Sequence, residues 1–175
     1  MAPVASTALE LTRIGFDVVE LLTLLGAGLR ELHSVPVEGC PFDAGNEALL
    51  DRAEHAVAAD AVDGSRFDRA YQRSTPAELL DIVTSSRPTD PDVSVLVHGA
   101  ACLEVVRVDG GRVIGWSSLA RSGRGDAYRD LATMATDLVA VIGPEALGPF
   151  IDAYGLEHPD VLRLDWHVMV DQLVR

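Results

Sequence analysis

The sequence predicts an α+β fold that is mainly α-helical and carries a small β-hairpin. Apolar residues recur at spacings of three, four and seven over several long stretches, the stripe an amphipathic helix buries. Two β-rich runs, Leu103 to Val108 and Arg112 to Trp116, flank Asp109-Gly110-Gly111, and glycine accepts the positive φ that a tight hairpin turn requires. With 175 residues, 48% of them apolar, the chain can bury the core of one domain and is too apolar to be disordered.

Taken in order, residues 1–10 read as a flexible N-terminus and 11–175 as the folded domain. From Leu11 to Ser34 the pattern is one helix, with Val18, Leu21, Leu22, Leu25, Leu29 and Leu32 on its apolar stripe. Gly26 and Gly28 either weaken it or mark close packing. Pro36 and Pro41 then hold the chain extended as far as Asp43. Residues 46–62 read as a helix with Asn46 as N-cap. Asp63-Gly64-Ser65 is a turn, and Phe67 and Tyr71 suggest one more helical face. Thr75, Pro76 and Glu78 form the signature of a capped helix start, with Leu79, Leu80, Ile82 and Val83 inside the helix.

Val93, Val95 and Val97 alternate with Ser94 and Leu96, predicting a strand that ends at His98-Gly99. After the hairpin, Gly123 and Gly125 mark a permissive loop. A helix over Asp126 to Val141 follows, burying Tyr128, Leu131, Ala132, Ala135, Leu138, Val139 and Ile142. Residues 144–154 read as a shorter helix bent at Gly148-Pro149 and closed by Gly155 at C′. The last helix, 159–174, turns Leu162, Trp166, Met169, Val170 and Leu173 inward.

The net charge of −13, from 27 acids against 14 bases, disfavours nucleic acids and anionic membranes as partners. It suits a polycationic small molecule, or simply a solvated acidic surface. The apolar run from Leu21 to Leu29 is too short to span a bilayer, and the start shows no secretory leader, so the cytoplasm is the expected compartment. Cys40 and Cys102 could form one bridge arithmetically but mark no disulfide framework, and Cys102 reads as a buried, inert thiol. No zinc spacing, H-E-x-x-H motif or nucleophile elbow occurs. His55 reads as a surface residue. His33, at a helix end, reads as a C-terminal cap.

The stretch from Val93 to Ala132 resembles the catalytic and metal loops of the aminoglycoside phosphotransferases, antibiotic kinases that share the protein-kinase fold. His98, Gly99, Cys102, Leu103, Val108, Asp109, Gly111, Arg112 and Gly115 fit the pattern, as do Arg121, Gly123, Asp126, Tyr128, Asp130, Leu131 and Ala132. The segment LHSVPVEGCPFD, Leu32 to Asp43, resembles the family as well. The resemblance implies the C-terminal lobe of that fold, without the N-terminal ATP lobe. The family's strand lysine has no counterpart, because the chain contains no lysine.

The resemblance also implies what is missing. The family's catalytic aspartate falls on Ala100, its metal-binding asparagine on Val105 and its metal-binding aspartate on Ser118. Phosphoryl transfer relies on Mg²⁺ and on a carboxylate that accepts the hydroxyl proton. Alanine accepts no proton and valine holds no metal. No catalytic residue, metal site or cofactor is therefore expected here, although the family uses ATP or GTP with Mg. His98 and Gly99 are expected to shape the loop, and Asp130 to anchor it against backbone amides. Asp109 is a turn residue. The family binds its cationic drug through carboxylates, of which Asp171 and Asp126 are the candidates here; Gln172 stands where a second terminal acid would be, so aminoglycoside binding is expected to be weak.

Three functions follow as expectations. The first is a catalytically inactive relative that binds a ligand or a partner, or is a remnant. The second is a phosphotransferase completed by a separate chain, and the third a homodimeric interaction module. In the last two, the face left by the missing lobe is the interface.

Overall fold

The computed structural model describes residues 6–88 and 94–174. Residues 1–5, Val93 of the predicted strand, the Thr89-Asp90-Pro91 loop and Arg175 lie outside the described residues.

The N-terminal segment, expected to be flexible to residue 10, carries regular structure from Ser6. β1 (Ser6–Thr7) pairs antiparallel with β4 (Val106–Asp109). Thr7 then caps α1 (Ala8–Arg13) in a reciprocal box with Glu10, and the Leu9 amide donates to the Leu103 carbonyl. The single helix expected over 11–34 is broken around Gly15. It resumes as α2 (Val18–His33), capped by Asp17, with Leu21, Leu22, Leu25 and Leu29 buried.

The short β2 (Asp43–Ala44) leads to α3 (Asn46–Ala58). Gly45, not Asn46, is its N-cap, and Asn46 turns inward at 2% exposure. The helical face suggested by Phe67 and Tyr71 is instead a 3-10 turn (Gly64–Arg66) and successive bends, with Phe67 buried. α4 (Pro76–Ser85) starts at the predicted Thr75–Glu78 capping box. β3 (Ser94–Val97) delivers the chain to His98.

β4 and β5 (Arg112–Trp116) form the hairpin, although its first strand begins at Val106 rather than Leu103. Gly110 and Gly111 at φ +55° and +71° give the two left-handed central residues of a type I′ turn, whose twist matches the paired strands. Residues 123–125, expected as loop, belong to β6 (Gly123–Asp126), which pairs antiparallel with β3 and parallel with β2. The molecule thus has two three-stranded sheets, ordered β1-β4-β5 and β2-β6-β3.

α5 (Ala127–Val141) follows directly, with Asp126 as N-cap. A 3-10 turn at Pro144–Ala146 runs into α6 (Leu147–Tyr154), ended by a left-handed Gly155, and α7 (Val161–Val174) closes the domain. Leu162 and Val139, expected inward, are 83% and 41% exposed. One apolar cluster joins α1, α2, β4, α5 and α6; a second joins α3, α4 and α7 around Trp166. Trp166 satisfies its indole by donating to the Val83 carbonyl at 2.8 Å. Gly26 and Gly28 mark close packing: a Cβ on Gly26 would lie 2.5 Å from the Phe150 carbonyl oxygen, and one on Gly28 2.6 Å from Val113. No helix among the described residues is long and apolar enough to cross a membrane.

Candidate functional site

The loop after β3 is held from below by one carboxylate. Asp130, in the first turn of α5, is fully buried. Its Oδ2 accepts the His98 amide at 2.5 Å and its Oδ1 the Gly99 amide at 2.7 Å. His33 Nε2 lies 3.2 Å from the same Oδ2, while its Nδ1 lies 2.8 Å from the Tyr154 hydroxyl. His33 therefore joins α2, α5 and α6 through its ring instead of capping its own helix. Burial pushes the Tyr154 phenol up to about 12.

The His98 ring fastens the loop on its other side, Nε2 lying 2.7 Å from the Ser117 carbonyl at the end of β5. Gly99 adopts φ +83°, and a Cβ there would collide with the Arg121 carbonyl, so the turn admits only glycine without rearrangement. The next amide, of Ala100, donates to His98 Nδ1 at 3.3 Å. Ala100 thus occupies a rigid position between two anchors.

Ala100, Cys102, Arg121, Thr133, Thr136, Asp137 and Asp171 line an open cleft of about 300 Å³. Asp137 accepts the Leu103 amide at 2.7 Å and so fixes the far end of the loop. Burial pushes the Cys102 thiol up, away from nucleophilic character. Asp171 reaches the cleft from α7. Asp126 does not. It is 2% exposed and accepts Arg163 Nε at 2.6 Å, Asn46 Nδ2 at 3.3 Å and the Tyr128 amide at 3.0 Å, with His167 Nε2 at 3.2 Å. Burial alone would raise its carboxyl, but His167, the Tyr128 amide and Arg163 together hold it well below the usual carboxylate range. Asp126 is an internal joint between β6, α3 and α7, and its carboxylate is taken by the protein itself.

The two positions at which the resemblance puts metal ligands do not suit a metal. Val105 is 9% exposed, part of the first apolar cluster, and offers no side-chain oxygen. Ser118 offers one neutral hydroxyl, whereas Mg²⁺ wants carboxylate oxygens in near-octahedral array. Among the described residues no group of three or more His, Cys, Asp or Glu side chains could hold a metal ion. The backbone of Ser118 is informative: φ 65° and ψ 49° place a non-glycine residue in the left-handed region, which Asp and Asn enter far more readily than Ser.

Sequence reasoning placed His98, Gly99 and Asp130 in the loop, and the structure brings all three together. It missed His33, Tyr154 and Asp137. The last two carry no local signal, and His33 lay in a motif whose simplest local reading was a cap.

A glycine-turned hairpin beside a loop clamped by a buried helix aspartate fits a kinase-like phosphotransferase scaffold. The chain belongs to the phosphotransferase enzyme family, whose model matches residues 15–167. It is 30% identical over 158 residues to an aminoglycoside 3'-phosphotransferase of Escherichia coli, covering 90% of this chain and 56% of that protein. To the streptomycin 3''-kinase of Streptomyces griseus it is 33% identical over 175 residues, covering 92% and 63%. Among solved structures it superposes on an aminoglycoside-3'-phosphotransferase of type VIII with a TM-score of 0.81 at 26% identity, over 89% of this chain and 60% of that one. An aminoglycoside phosphotransferase from Streptomyces rimosus matches at 0.77, over 87% and 61%. The chain thus spans roughly three-fifths of the length of these relatives.

Proposed function

We propose that this chain is a non-catalytic member of the family, keeping the clamped loop and an open cleft for a small ligand but not the machinery of phosphoryl transfer. The observation that carries this reading is Ala100. It sits in a loop held by Asp130, His98 and Asp137, and its methyl group cannot accept a hydroxyl proton. Losing one transition-state stabiliser commonly costs about 10²–10³ in rate. The methyl of Ala100, the hydrocarbon of Val105 and the lone hydroxyl of Ser118 replace three such groups. Their losses are not additive, yet together they leave no route to turnover. The left-handed backbone at Ser118 supports descent from a chain with an acidic residue there. Asp171 and Asp137 make a small polycation the natural cleft ligand, with reduced affinity because Gln172 is neutral and buried against Asp68.

Calorimetric titration with Mg-ATP and Mg-GTP, followed by a phosphoryl-transfer assay over a panel of aminoglycosides, tests the reading. No nucleotide heat at millimolar concentration and no transfer is the expected result. Micromolar nucleotide binding with transfer to any of the drugs refutes it.

A second reading rests on a different face. Gly28, Leu32, Val35, Val113, Ile114 and Trp116 line a groove between α2 and β5, and Ile114 and Val35 are 48% and 44% exposed. That face suits a further polypeptide, supplied separately or by a second copy. Light scattering over a range of concentrations tests self-pairing. A dimer that Ile114→Arg dissolves supports the second copy; a monomer throughout leaves only a separate chain.

A further inference from the structure

The cleft beside Ala100 has lining surfaces of two kinds. Ala100 and Cys102 on the loop, with Ala140 on α5, present methyl groups and a neutral thiol. The other surface presents hydrogen-bond acceptors. Thr133, Thr136, Asp137 and Ala140 recur at spacings of three and four, so they share one face of α5. Thr136 gives its hydroxyl proton to the Ala132 carbonyl at 2.9 Å, and Thr133 gives its own to the Arg129 carbonyl at 3.2 Å. A hydroxyl has a single proton, so with that proton held inside the helix only the oxygen lone pairs are left for a ligand. Asp137 accepts the Leu103 amide through Oδ2, and a carboxylate has further lone pairs beyond one such bond.

A ligand of this surface must therefore donate hydrogen bonds. Charge points the same way: Asp137 and Asp171 against Arg121 leave the lining with one surplus acid. Size and the carbon lining set the rest of the ligand. The cleft holds about 300 Å³, roughly twice the ~150 Å³ cavity that admits benzene, so it has room for a single ring and a short chain.

We infer that the cleft takes a small primary amine with an apolar body. Its ammonium has three N–H donors, which match Asp137 and the two threonine oxygens. Its hydrocarbon covers Ala100, Cys102 and Ala140. The inference rests on the reading of the cleft as a site for a cationic ligand and narrows it, because one surplus acid and this volume suit one ammonium and not several. Nucleotide binding and phosphoryl transfer play no part in its test, so it and the non-catalytic reading fail separately.

The test is thermal unfolding of the full chain with phenethylamine hydrochloride, against sodium chloride at matched ionic strength. With a Kd of about 1 mM, about 10 mM amine raises Tm by roughly 3–5 °C over chloride. Phenethyl alcohol, which lacks the charge, and the trimethylammonium analogue, which lacks the N–H donors, raise it by less than half as much. Thr136→Val removes one acceptor at equal volume and weakens the shift, and Ala140→Leu, at an exposed helix position, weakens it by filling the cleft. Arg121→Gln removes a like charge and enlarges it. No shift beyond chloride overturns the inference, and so does an equal shift by the alcohol or the trimethylammonium analogue. A full shift retained in both T136V and A140L places the amine elsewhere and overturns it as well. If kanamycin at the same concentration gives the larger shift, the cleft is a polycation site and the apolar body is refuted while the cationic reading stands.

Discussion

Replacing Asp130 by alanine removes the one acceptor shared by the His98 and Gly99 amides. The side chain is fully buried. Each buried amide left without a partner costs about 1–3 kcal/mol, and the third contact, to His33, is lost with them. Against this stands the relief of a desolvated carboxylate, which makes the net loss about 3–5 kcal/mol, the range for breaking a buried polar cluster from one side. That is a large share of the 5–15 kcal/mol typical of a whole domain. Urea unfolding followed by far-UV circular dichroism reads it directly. With a slope near 2 kcal/mol/M, the midpoint falls by about 1.5–2.5 M at unchanged slope. Asp130→Asn falls almost as far, because its amide turns a donor toward one of the two N–H groups. A midpoint for either variant within about 0.3 M of the parent chain refutes the view that this carboxylate holds the loop.

Further predictions concern other parts of the fold. Gly26→Ala improves helix propensity by about 1 kcal/mol, but its methyl meets the Phe150 carbonyl and the Tyr154 amide; overpacking of about 1–3 kcal/mol wins, so the urea midpoint falls rather than rises. Asp126→Asn keeps a good N-cap for α5 while removing the charge that faces Arg163 and His167. The folded carboxyl lies below its unfolded value of about 3.9, so its stabilisation is complete above that pH and is lost as pH falls toward the folded value. D126N is accordingly weaker than the parent at neutral pH, and its urea midpoint declines less steeply in acid; equal slopes from pH 5 to pH 2 contradict this. Ala100→Asp restores a carboxylate to the loop and leaves phosphoryl transfer at background, because Val105 and Ser118 still bind no metal; transfer above background by the single variant shows that the metal positions have been misplaced.

Some of the site could be read residue by residue because its signals are local. The Asp109-Gly110-Gly111 turn, the Thr75–Glu78 box and the spacing around His98 each need only a few neighbouring residues to be recognised. β6 had no such signal. Gly-Arg-Gly-Asp has little β-propensity of its own, and it becomes a strand because its glycines let the backbone approach: a Cβ on Gly123 would lie 2.7 Å from the Phe42 carbonyl oxygen, and one on Gly125 2.6 Å from that of Ala44. Leu162 failed in the opposite sense. It lies in a helix whose apolar residues do not gather on one stripe, so the sequence could not say which of them would face out.

By itself the sequence determined the helices that carry apolar stripes, the hairpin with its glycine turn, and the kinship of the loop. These follow from periodicity, from the φ that glycine allows and from residue identity, all of which are local. Tertiary structure alone decided that Asp126 is an internal joint while Asp171 lines the cleft, and that His33 bonds across 97 positions to Asp130. A side chain's partners depend on which elements pack against it, and that contact is made by segments far apart in the chain.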